Sequence, residues 1–250
     1  MRACAQLGVV AREGRTVVTA LRAQAPLALV PRRGVAGAAC PEAVVHLVGS
    51  ASTPLAGDDV ELTVTVGPGA HLVLTGVAAA VALPGAGRPS RTVLRATVAD
   101  GGSLTYRPEP TVVTARADHE TVLDVRLAPT ATLHARDVLV AGRTGERAGR
   151  YRGTVRVTED GRPLLVQTQE IGDPLLDASP AHLAGHRVLG TEVVIGPGGE
   201  PVSPACGEGW SLSPLAVRGM LATAVGHDAV TAARRLAGAV AAAASHPVGP

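Results

Sequence analysis

The chain has 250 residues and a formal net charge of +2, too small for the electrostatic footprint of a nucleic-acid-binding protein. It contains no lysine, so a P-loop nucleotide site and lysine Schiff-base catalysis are both excluded. Aromatic residues make up only 1% of the chain, and a core must therefore be built from valine, leucine and alanine.

Two short strands are predicted within residues 3–30, joined by the turn Arg12-Glu13-Gly14-Arg15. A passage rich in proline and glycine follows at residues 31–41, and an apolar strand is predicted at residues 43–48. Residues 49–57 are predicted to form a loop that leads into the centre of the chain. The N-terminal part of the chain is therefore predicted to consist of strands and loops.

The centre of the chain, residues 59–169, repeats one pattern four times. Each copy is an alternating apolar run, a turn rich in Gly, Pro or Asp, and a second alternating run. Successive side chains of a strand point to opposite faces, so a period of two buries one face. A spacing of about 30 residues is typical of repeat architectures. The pattern predicts a mostly β protein, a β-helix-like stack of strand–turn–strand units, whose copies begin at Val60, Thr92, Thr121 and Gly153.

The C-terminal part of the chain is predicted to end in a helix. One more apolar strand is predicted at residues 187–195, and residues 210–245 form a strand and helix segment in which residues 215–222 fit either type. Asp228 is a suitable N-cap for an alanine-rich helix over residues 229–244. All 250 residues are assigned to a single domain. The face of the helix predicted to be apolar contains Val230, Ala233, Ala237 and Val240.

Cysteine content and the terminal segments predict a soluble cytoplasmic protein. Cys4, Cys40 and Cys206 form no CxxC pair, so neither a zinc knuckle nor a redox dithiol is indicated. The first residues lack the apolar run of a secretory signal, and the apolar run at residues 236–244 is too short to span a bilayer. No membrane partner is therefore expected.

Several histidines and one pair of adjacent carboxylates are candidates for metal-binding or catalytic groups. His182 and His186 could share a metal on a helix, but Pro180 and Gly185 argue against a helix there. There is no G-x-S-x-G and no H-E-x-x-H motif. The remaining candidates are interpreted as solvent-facing strand positions or a solvated strand entrance, and they are His71, His119, His134 and the pair Asp58 and Asp59.

A glycine-rich loop and its arginines are candidates for a phosphate-binding site. The stretch Gly142-Arg143-Thr144-Gly145 joins two predicted strands and opens no helix, so a β turn is the favoured interpretation. The neighbouring arginines fit a solvated loop, although they could also contact an acidic partner; they are Arg143, Arg147, Arg150 and Arg152. The residues alone therefore predict a protein that is not an enzyme.

The order and spacing of short motifs along nearly the whole chain resemble those of the urease accessory protein family UreD, also called UreH. Each motif alone is a generic turn or strand signal. The motifs are Gly14-Arg15-Thr16-Val17, Ala25-Pro26-Leu27, Gly57-Asp58, the run from Val64 to Ala70, Leu74-Thr75, the run from Tyr106 to Thr111, Gly142-Arg143, Gly145-Glu146 and the run from Gly161 to Leu164. The chain departs from the family at residues 77–83, where a basic and an aromatic residue are usual, and near Ala148, where an aromatic residue is expected.

The resemblance implies a β-helical body and a non-enzymatic role in incorporating the nickel centre of urease. A protein of this family docks on apo-urease and holds a helical UreF-like protein, which recruits a UreG-like GTPase. Nickel is expected to pass through an internal route, with no tightly bound cofactor and nickel present only in transit. Weak oxygen contacts suit transit better than a tight nitrogen and sulfur site.

The resemblance and the acidic residues of the repeated region suggest which side chains contact partners or line the route. No metal ligand is identified, and Asp118 and Asp124 are further acidic residues that could lie on the route. Solvated strand faces explain the acidic residues about as well. The candidates are Tyr106, Pro108, Glu109, Asp137, Arg143 and Glu146.

A second hypothesis, from a different class, is a β-solenoid protein that binds or acts on carbohydrate. Such sites commonly use stacked aromatic rings and paired carboxylates. The whole chain contains two Tyr, one Trp and no Phe, which is the main argument against this alternative.

Overall fold

Strands dominate the computed structural model, which describes residues 1–32, 41–85, 87–197 and 202–245. Two helices follow the stacked strands, α1 (Pro174–Ala178) and α2 (Ala229–Ser245). In chain order the strands are β1 (Arg2–Arg12), β2 (Arg15–Arg22), β3 (Leu27–Pro31), β4 (Ala43–Gly49), β5 (Asp59–Val66), β6 (His71–Gly76), β7 (Ala80–Ala82), β8 (Ser90–Val98), β9 (Ser103–Arg107), β10 (Thr111–Val113), β11 (Asp118–Leu127), β12 (Thr132–Ala141), β13 (Arg150–Glu159), β14 (Arg162–Ile171), β15 (Val188–Ile195), β16 (Ala205–Gly207), β17 (Trp210–Pro214) and β18 (Met220–Gly226).

The strands form two sheets that face each other. Sheet A has seven strands in the order β14-β13-β11-β8-β5-β1-β2. Its inner pairs are parallel, and an antiparallel hairpin closes each end. Sheet B follows the order β16-β17-β18-β15-β12-β9-β6-β4-β3, with β7 and β10 as a short parallel addition beside β12. The predicted mostly β, stacked architecture is confirmed.

Three of the four repeated copies cross from one sheet to the other. The copies starting at Val60, Thr92 and Thr121 run as β5–β6, β8–β9 and β11–β12, each from sheet A through a turn into sheet B. The fourth copy differs, because β13 and β14 form an antiparallel hairpin within sheet A. Its two central turn residues, Asp160 and Gly161, have φ values of 46° and 80°, the backbone that a two-residue hairpin turn requires.

Alternating apolar side chains fill the space between the sheets, as predicted. Val60, Leu62, Val64 and Val66 are each 7% exposed or less. Leu62, Val64 and Val66 belong to a core cluster whose sheet B side includes Leu72, Leu74, Leu104, Leu133 and Ile195. Burying a side chain of this size contributes about 1.5–3 kcal/mol relative to leaving it in water. The core is therefore aliphatic, in keeping with the low aromatic content.

Other predicted elements are confirmed at close to their predicted positions. The first hairpin, the strand at residues 43–48 and the strand at residues 187–195 correspond to β1–β2, β4 and β15. The ambiguous stretch at residues 215–222 is not helical, and β18 begins at Met220. The predicted irregular passage at residues 31–41 and Cys40 fall largely outside the described residues.

Helix α2 packs on the outer face of sheet B through a different stripe from the predicted one. Asp228 is its N-cap, with the Thr231 backbone N–H donating to Oδ1 at 2.8 Å. The predicted face is wrong, because Val230 is 76% exposed. Leu236 is fully buried, and Gly190 leaves it room, since a Cβ there would lie 2.7 Å from the Leu236 Cδ1. Ala232 and Ala239 complete the buried stripe. Within the described ranges, no helix is long and apolar enough to cross a membrane.

A buried arginine connects the two sheets where the turns lie. The Arg218 side chain is 6% exposed, and its Nε donates to Glu159 Oε2 at 2.8 Å. Its Nη1 donates to the Ala131 carbonyl at 3.0 Å and to the Gly196 carbonyl, and its Nη2 donates to the Ala128 carbonyl at 3.3 Å. One guanidinium thus holds a strand of sheet A, a crossing turn and the loop after β15.

Replacing this arginine should destabilise the fold. We expect Arg218→Met to lower the free energy of unfolding by about 3 kcal/mol, because the Glu159 carboxylate and the carbonyls lose their buried partner. Arg126→Met, at an exposed position of β11, is the control and should change it by less than about 0.5 kcal/mol. Urea unfolding followed by circular dichroism measures both variants. Equal effects of the two substitutions would contradict the role of Arg218.

Candidate functional site

A cavity of about 430 Å³ lies between the sheets at the end opposite the crossing turns. Besides His119, sheet A contributes two adjacent cross-strand rows to its wall. One contains Leu94, Leu123, Val155 and Gln167, and in the other, farther from the turns, each residue is the direct register neighbour of the next. In the rows nearer the turns, Val, Leu and Ala fill the core, whereas most of this row is small or polar. The cavity therefore extends across the stacked strands from β5 to β14 along the row Val60, Thr92, Thr121, Gly153 and Gln169.

A hydrogen-bonded network of polar groups lies on the wall of the cavity. The Tyr151 hydroxyl donates to Asp137 Oδ2 at 3.1 Å and lies 2.5 Å from the Thr121 hydroxyl oxygen. Gly153 is required beside it, because a Cβ there would lie 2.5 Å from the Tyr151 hydroxyl oxygen. Burial raises the pKa of Asp137, and the hydrogen bond from Tyr151 offsets part of that rise. Burial also raises the pKa of Tyr106, with the Asp137 charge adding to the effect.

His119 also lines the cavity, and its predicted solvent-facing position is wrong. The residue is 3% exposed, because it shares the inward parity of Thr121 and Val125 on β11. Its Nδ1 lies 2.9 Å from the Ser90 hydroxyl oxygen. Burial lowers the pKa of His119 to about 4, against a rise from the hydrogen bond to Ser90, so the ring is neutral at physiological pH.

His71 and His134, the other two histidines predicted to face solvent, lie outside the cavity. His71 is exposed, as predicted, with its Nδ1 2.8 Å from the Ser103 hydroxyl oxygen. His134 is partly buried and bonds to Glu192, which Arg136 also contacts through Nη2 at 2.8 Å. Glu192 is thus a buried carboxylate paired with Arg136 and in contact with His134 on the outer face of sheet B.

Three uncharged segments surround one end of the cavity and are named here the uncharged rim: residues 23–31, 47–57 and 76–85. All three contribute residues to the cavity wall. They are joined by backbone hydrogen bonds, from Ser50 N to the Pro26 carbonyl at 2.8 Å and from Leu83 N to the Pro54 carbonyl at 2.9 Å. Four large apolar side chains of the rim face solvent: Val30 at 48%, Leu55 at 39%, Val77 at 54% and Val81 at 37% exposed.

A buried carboxylate holds part of the rim in place. Asp58 is 4% exposed, so its predicted place in a solvated strand entrance is wrong. It accepts hydrogen bonds from the Leu55 backbone N–H at 3.0 Å and the Thr53 hydroxyl at 3.1 Å. These bonds fold the loop before β5 back on itself. The Met1 ammonium lies 2.9 Å from Asp58 Oδ1, so the carboxylate charge is paired, and residues 47–57 themselves carry no charged side chain.

The structure brings four of the six candidate partner and route residues together. Tyr106, Pro108, Glu109 and Asp137 line the same cavity. The other two, Arg143 and Glu146, form an ion pair with each other on the loop between β12 and β13, at 2.9 Å from Nε to Oε2. The functional roles of all six remain predictions. Asp118 and Asp124 are not among the residues that line the cavity.

His182 and His186 are held separately and do not form a metal pair. His182 Nδ1 lies 3.6 Å from Asp177 Oδ1, whereas the His186 ring stacks on His227 with centroids 4.5 Å apart. Among the described residues, no group of three or more His, Cys, Asp or Glu side chains is placed to hold a metal ion. Glu146, Asp177 and His186 instead line a second cavity of about 320 Å³ beside α1.

The buried neutral state of His119 makes stability depend on pH. Its pKa is about 4 when folded and about 6.5 in an unfolded chain, so the unfolded state binds more protons between those values. We expect the wild type to lose up to about 3 kcal/mol relative to His119→Gln as the pH falls from 6.5 to 4. Urea unfolding at several pH values measures the difference, and a pH-independent difference would contradict the assigned pKa.

Comparison with known proteins identifies the family. Residues 1–249 match the family model described as UreD urease accessory protein. Urease accessory protein UreD 1 of Saccharopolyspora erythraea is 52% identical over 242 residues, covering 96% of this chain and 94% of the relative. Urease accessory protein UreD of Parafrankia sp. is 42% identical over 261 residues, with coverages of 94% and 86%. The protein of the same name from Streptomyces coelicolor is 38% identical over 234 residues, covering 91% of each. The chain therefore belongs to the UreD family of urease accessory proteins, which are maturation factors and not enzymes.

Proposed function

We propose that this protein is a scaffold in urease maturation that gives nickel a route to apo-urease through the cavity between its sheets. The cavity carries the proposal, because it extends along one row of side chains across five strands of the body. A passage of that kind connects surfaces on different strands of the stack. Nickel is the cargo in this role, and no cofactor is bound tightly.

The chemistry of the wall suits a cation in transit. The oxygen-bearing side chains along the cavity include Thr92, Thr121, Tyr106, Glu109 and Asp137. Oxygen groups bind nickel less tightly than several imidazoles or thiolates would, so a bound ion can leave again. The raised pKa of Asp137 also limits the negative charge along the route. These properties favour passage over storage.

In this role the chain depends on partners for nucleotide hydrolysis. The chain contains no lysine and a P-loop requires one, so we assign nucleotide hydrolysis to a UreG-like GTPase. A helical UreF-like protein recruits that GTPase and contacts this chain directly, and the assembly docks on apo-urease. We also assign the assembly to the cytoplasm, where a GTPase partner would have its nucleotide.

The uncharged rim is the surface that we assign to the helical UreF-like partner. Exposed apolar patches rimmed by polar surface commonly mark protein contacts, and permanent complexes have more apolar interfaces than transient ones. Apo-urease must be released after nickel insertion, whereas the helical partner stays with the scaffold. The rim therefore fits the partner that remains bound, and it adjoins the cavity through which the cargo would pass.

The carbohydrate alternative is not favoured. Tyr106 lies on the cavity wall, and Tyr151 is 2% exposed with its hydroxyl bonded to Asp137. The buried Tyr151 ring is therefore not available as a platform on which a sugar could stack. The family relationship also points to urease maturation.

Obstructing the cavity should stop nickel delivery without loosening the assembly. Thr92→Phe places a large ring in the middle of the cavity-lining row, while Thr97→Phe, at an exposed outward position of the same strand, is the control. We expect urease matured with Thr92→Phe to contain only background nickel, measured by elemental analysis of purified urease alongside urease activity. Wild-type nickel content with Thr92→Phe, in an assembly of unchanged composition, would contradict the route.

A charge on the rim should release the helical partner. We expect Val77→Glu to weaken binding of the UreF-like protein by at least about tenfold, or about 1.4 kcal/mol, because a carboxylate would be desolvated in an apolar contact. The control is Val230→Glu on α2, where the valine is even more exposed, at 76%. Co-expression followed by affinity purification measures the retained partner and the soluble yield. If both variants retain the partner equally, or if wild-type protein is monomeric beside it, the assignment is wrong.

A further inference from the structure

His119 is the one imidazole among the described residues that line the cavity, and no cysteine lines it. Its side chain is buried, yet its hydrogen bonding is confined to one ring nitrogen, Nδ1. Nε2 has no hydrogen-bond partner among the described residues. Nε2 is not among the buried polar atoms that lack a partner, so it is open to the space of the cavity. It is therefore accessible to a ligand in the cavity.

The contacts of Ser90 determine which tautomer His119 adopts. The Ser90 hydroxyl oxygen lies 3.2 Å from the Asp118 carbonyl, and when the hydroxyl donates there its oxygen accepts from the imidazole. His119 Nδ1 consequently carries the ring proton and donates it over 2.9 Å. Nε2 is then left with a lone pair. Burial keeps the ring in this neutral form at physiological pH, because it lowers the pKa of His119 to about 4.

This arrangement is the one that metal-binding histidines use in proteins. A hydrogen bond at one ring nitrogen orients the imidazole and fixes its tautomer, and the other nitrogen is the ligand. We propose that His119 Nε2 is a binding point for a divalent transition-metal cation of the nickel class inside the cavity. This inference rests on the proposed nickel route and names a residue in it that selects the cargo.

A single imidazole explains both weak binding and selectivity. Structural transition-metal sites use three or four protein ligands, and no such group occurs among the described residues. One imidazole with solvent completing the coordination sphere holds a cation only briefly. Imidazole also prefers nickel, zinc or copper over magnesium and calcium, which favour oxygen. His119 would thus distinguish the cargo from magnesium in a route otherwise lined by oxygen groups.

The matched control is His71, which has the same kind of contact from Nδ1 to a serine hydroxyl but lies exposed on the outer face of sheet B. The full chain, co-purified with its helical partner, is titrated with nickel chloride in excess magnesium. Equilibrium dialysis gives the number of sites, and nickel X-ray absorption reports imidazole ligation. His119→Gln should lose one weak site and its imidazole signature, and His71→Gln should retain both.

A second variant separates ligation from folding. Ser90→Ala keeps the imidazole but removes the acceptor that fixes its tautomer, so the nickel affinity of this site should fall by about tenfold. Wild-type nickel binding in both His119→Gln and Ser90→Ala would overturn the proposal. So would equal losses in His119→Gln and His71→Gln, since surface histidines would then account for the signal.

Nickel delivery to urease distinguishes failure of this inference from failure of the route. If Thr92→Phe blocks delivery while His119→Gln binds and delivers nickel like the wild type, the route stands and the role of His119 is refuted. If neither variant changes delivery in an intact assembly, the route itself is refuted. Loss of delivery with His119→Gln only in excess magnesium supports the assignment of selectivity.

Discussion

In-register stacking of parallel strands is the constraint on which the rest of the structure depends. Because β5, β8, β11 and β13 pair without offset, residues about 30 positions apart form continuous rows across sheet A. The inward residues of one row therefore have a common effect on the space between the sheets. Rows of Val, Leu and Ala near the crossing turns close the space between the sheets, whereas the row containing Thr92, Thr121 and Gly153 leaves it open.

The ionisable groups of the molecule include two contrasting classes, exposed ion pairs on the outer face and buried groups in the cavity. On the outer face of sheet A, opposite charges from neighbouring strands face each other in solvent, as in Arg152 and Glu170 at 3.1 Å, and such pairs contribute little to stability. Inside the body, Asp137 and His119 are neighbours of the same cavity, and burial shifts the pKa of each toward its uncharged form. The interior thus presents polar atoms with little net charge.

The sequence predicts the architecture well and the cavity only in part. Alternation and repeat spacing are local signals, so the stacked sheets follow from them. Tyr106, Pro108 and Glu109 belong to one family motif and Asp137 is a separate acidic candidate, and only the structure brings the four to one cavity. The solvent-facing position predicted for His119 is wrong, although its alternation with Val125 along β11 indicates the inward face. The Asp160-Gly161 pair likewise signals the hairpin of the fourth copy. The packed stripe of α2 is different, because in an alanine-rich helix two stripes are equally apolar and only tertiary contacts choose between them.

The cavity runs perpendicular to the strands, so its length depends on the number of coils in the stack. Every coil of the stack adds one residue to each row, so inserting or deleting a whole coil would extend or shorten the passage by one strand separation, about 4.8 Å. The lining chemistry of the remaining rows would be unaffected. For the proposed nickel route, the distance between its two ends would thus change in discrete steps while the lining of the cavity stays the same.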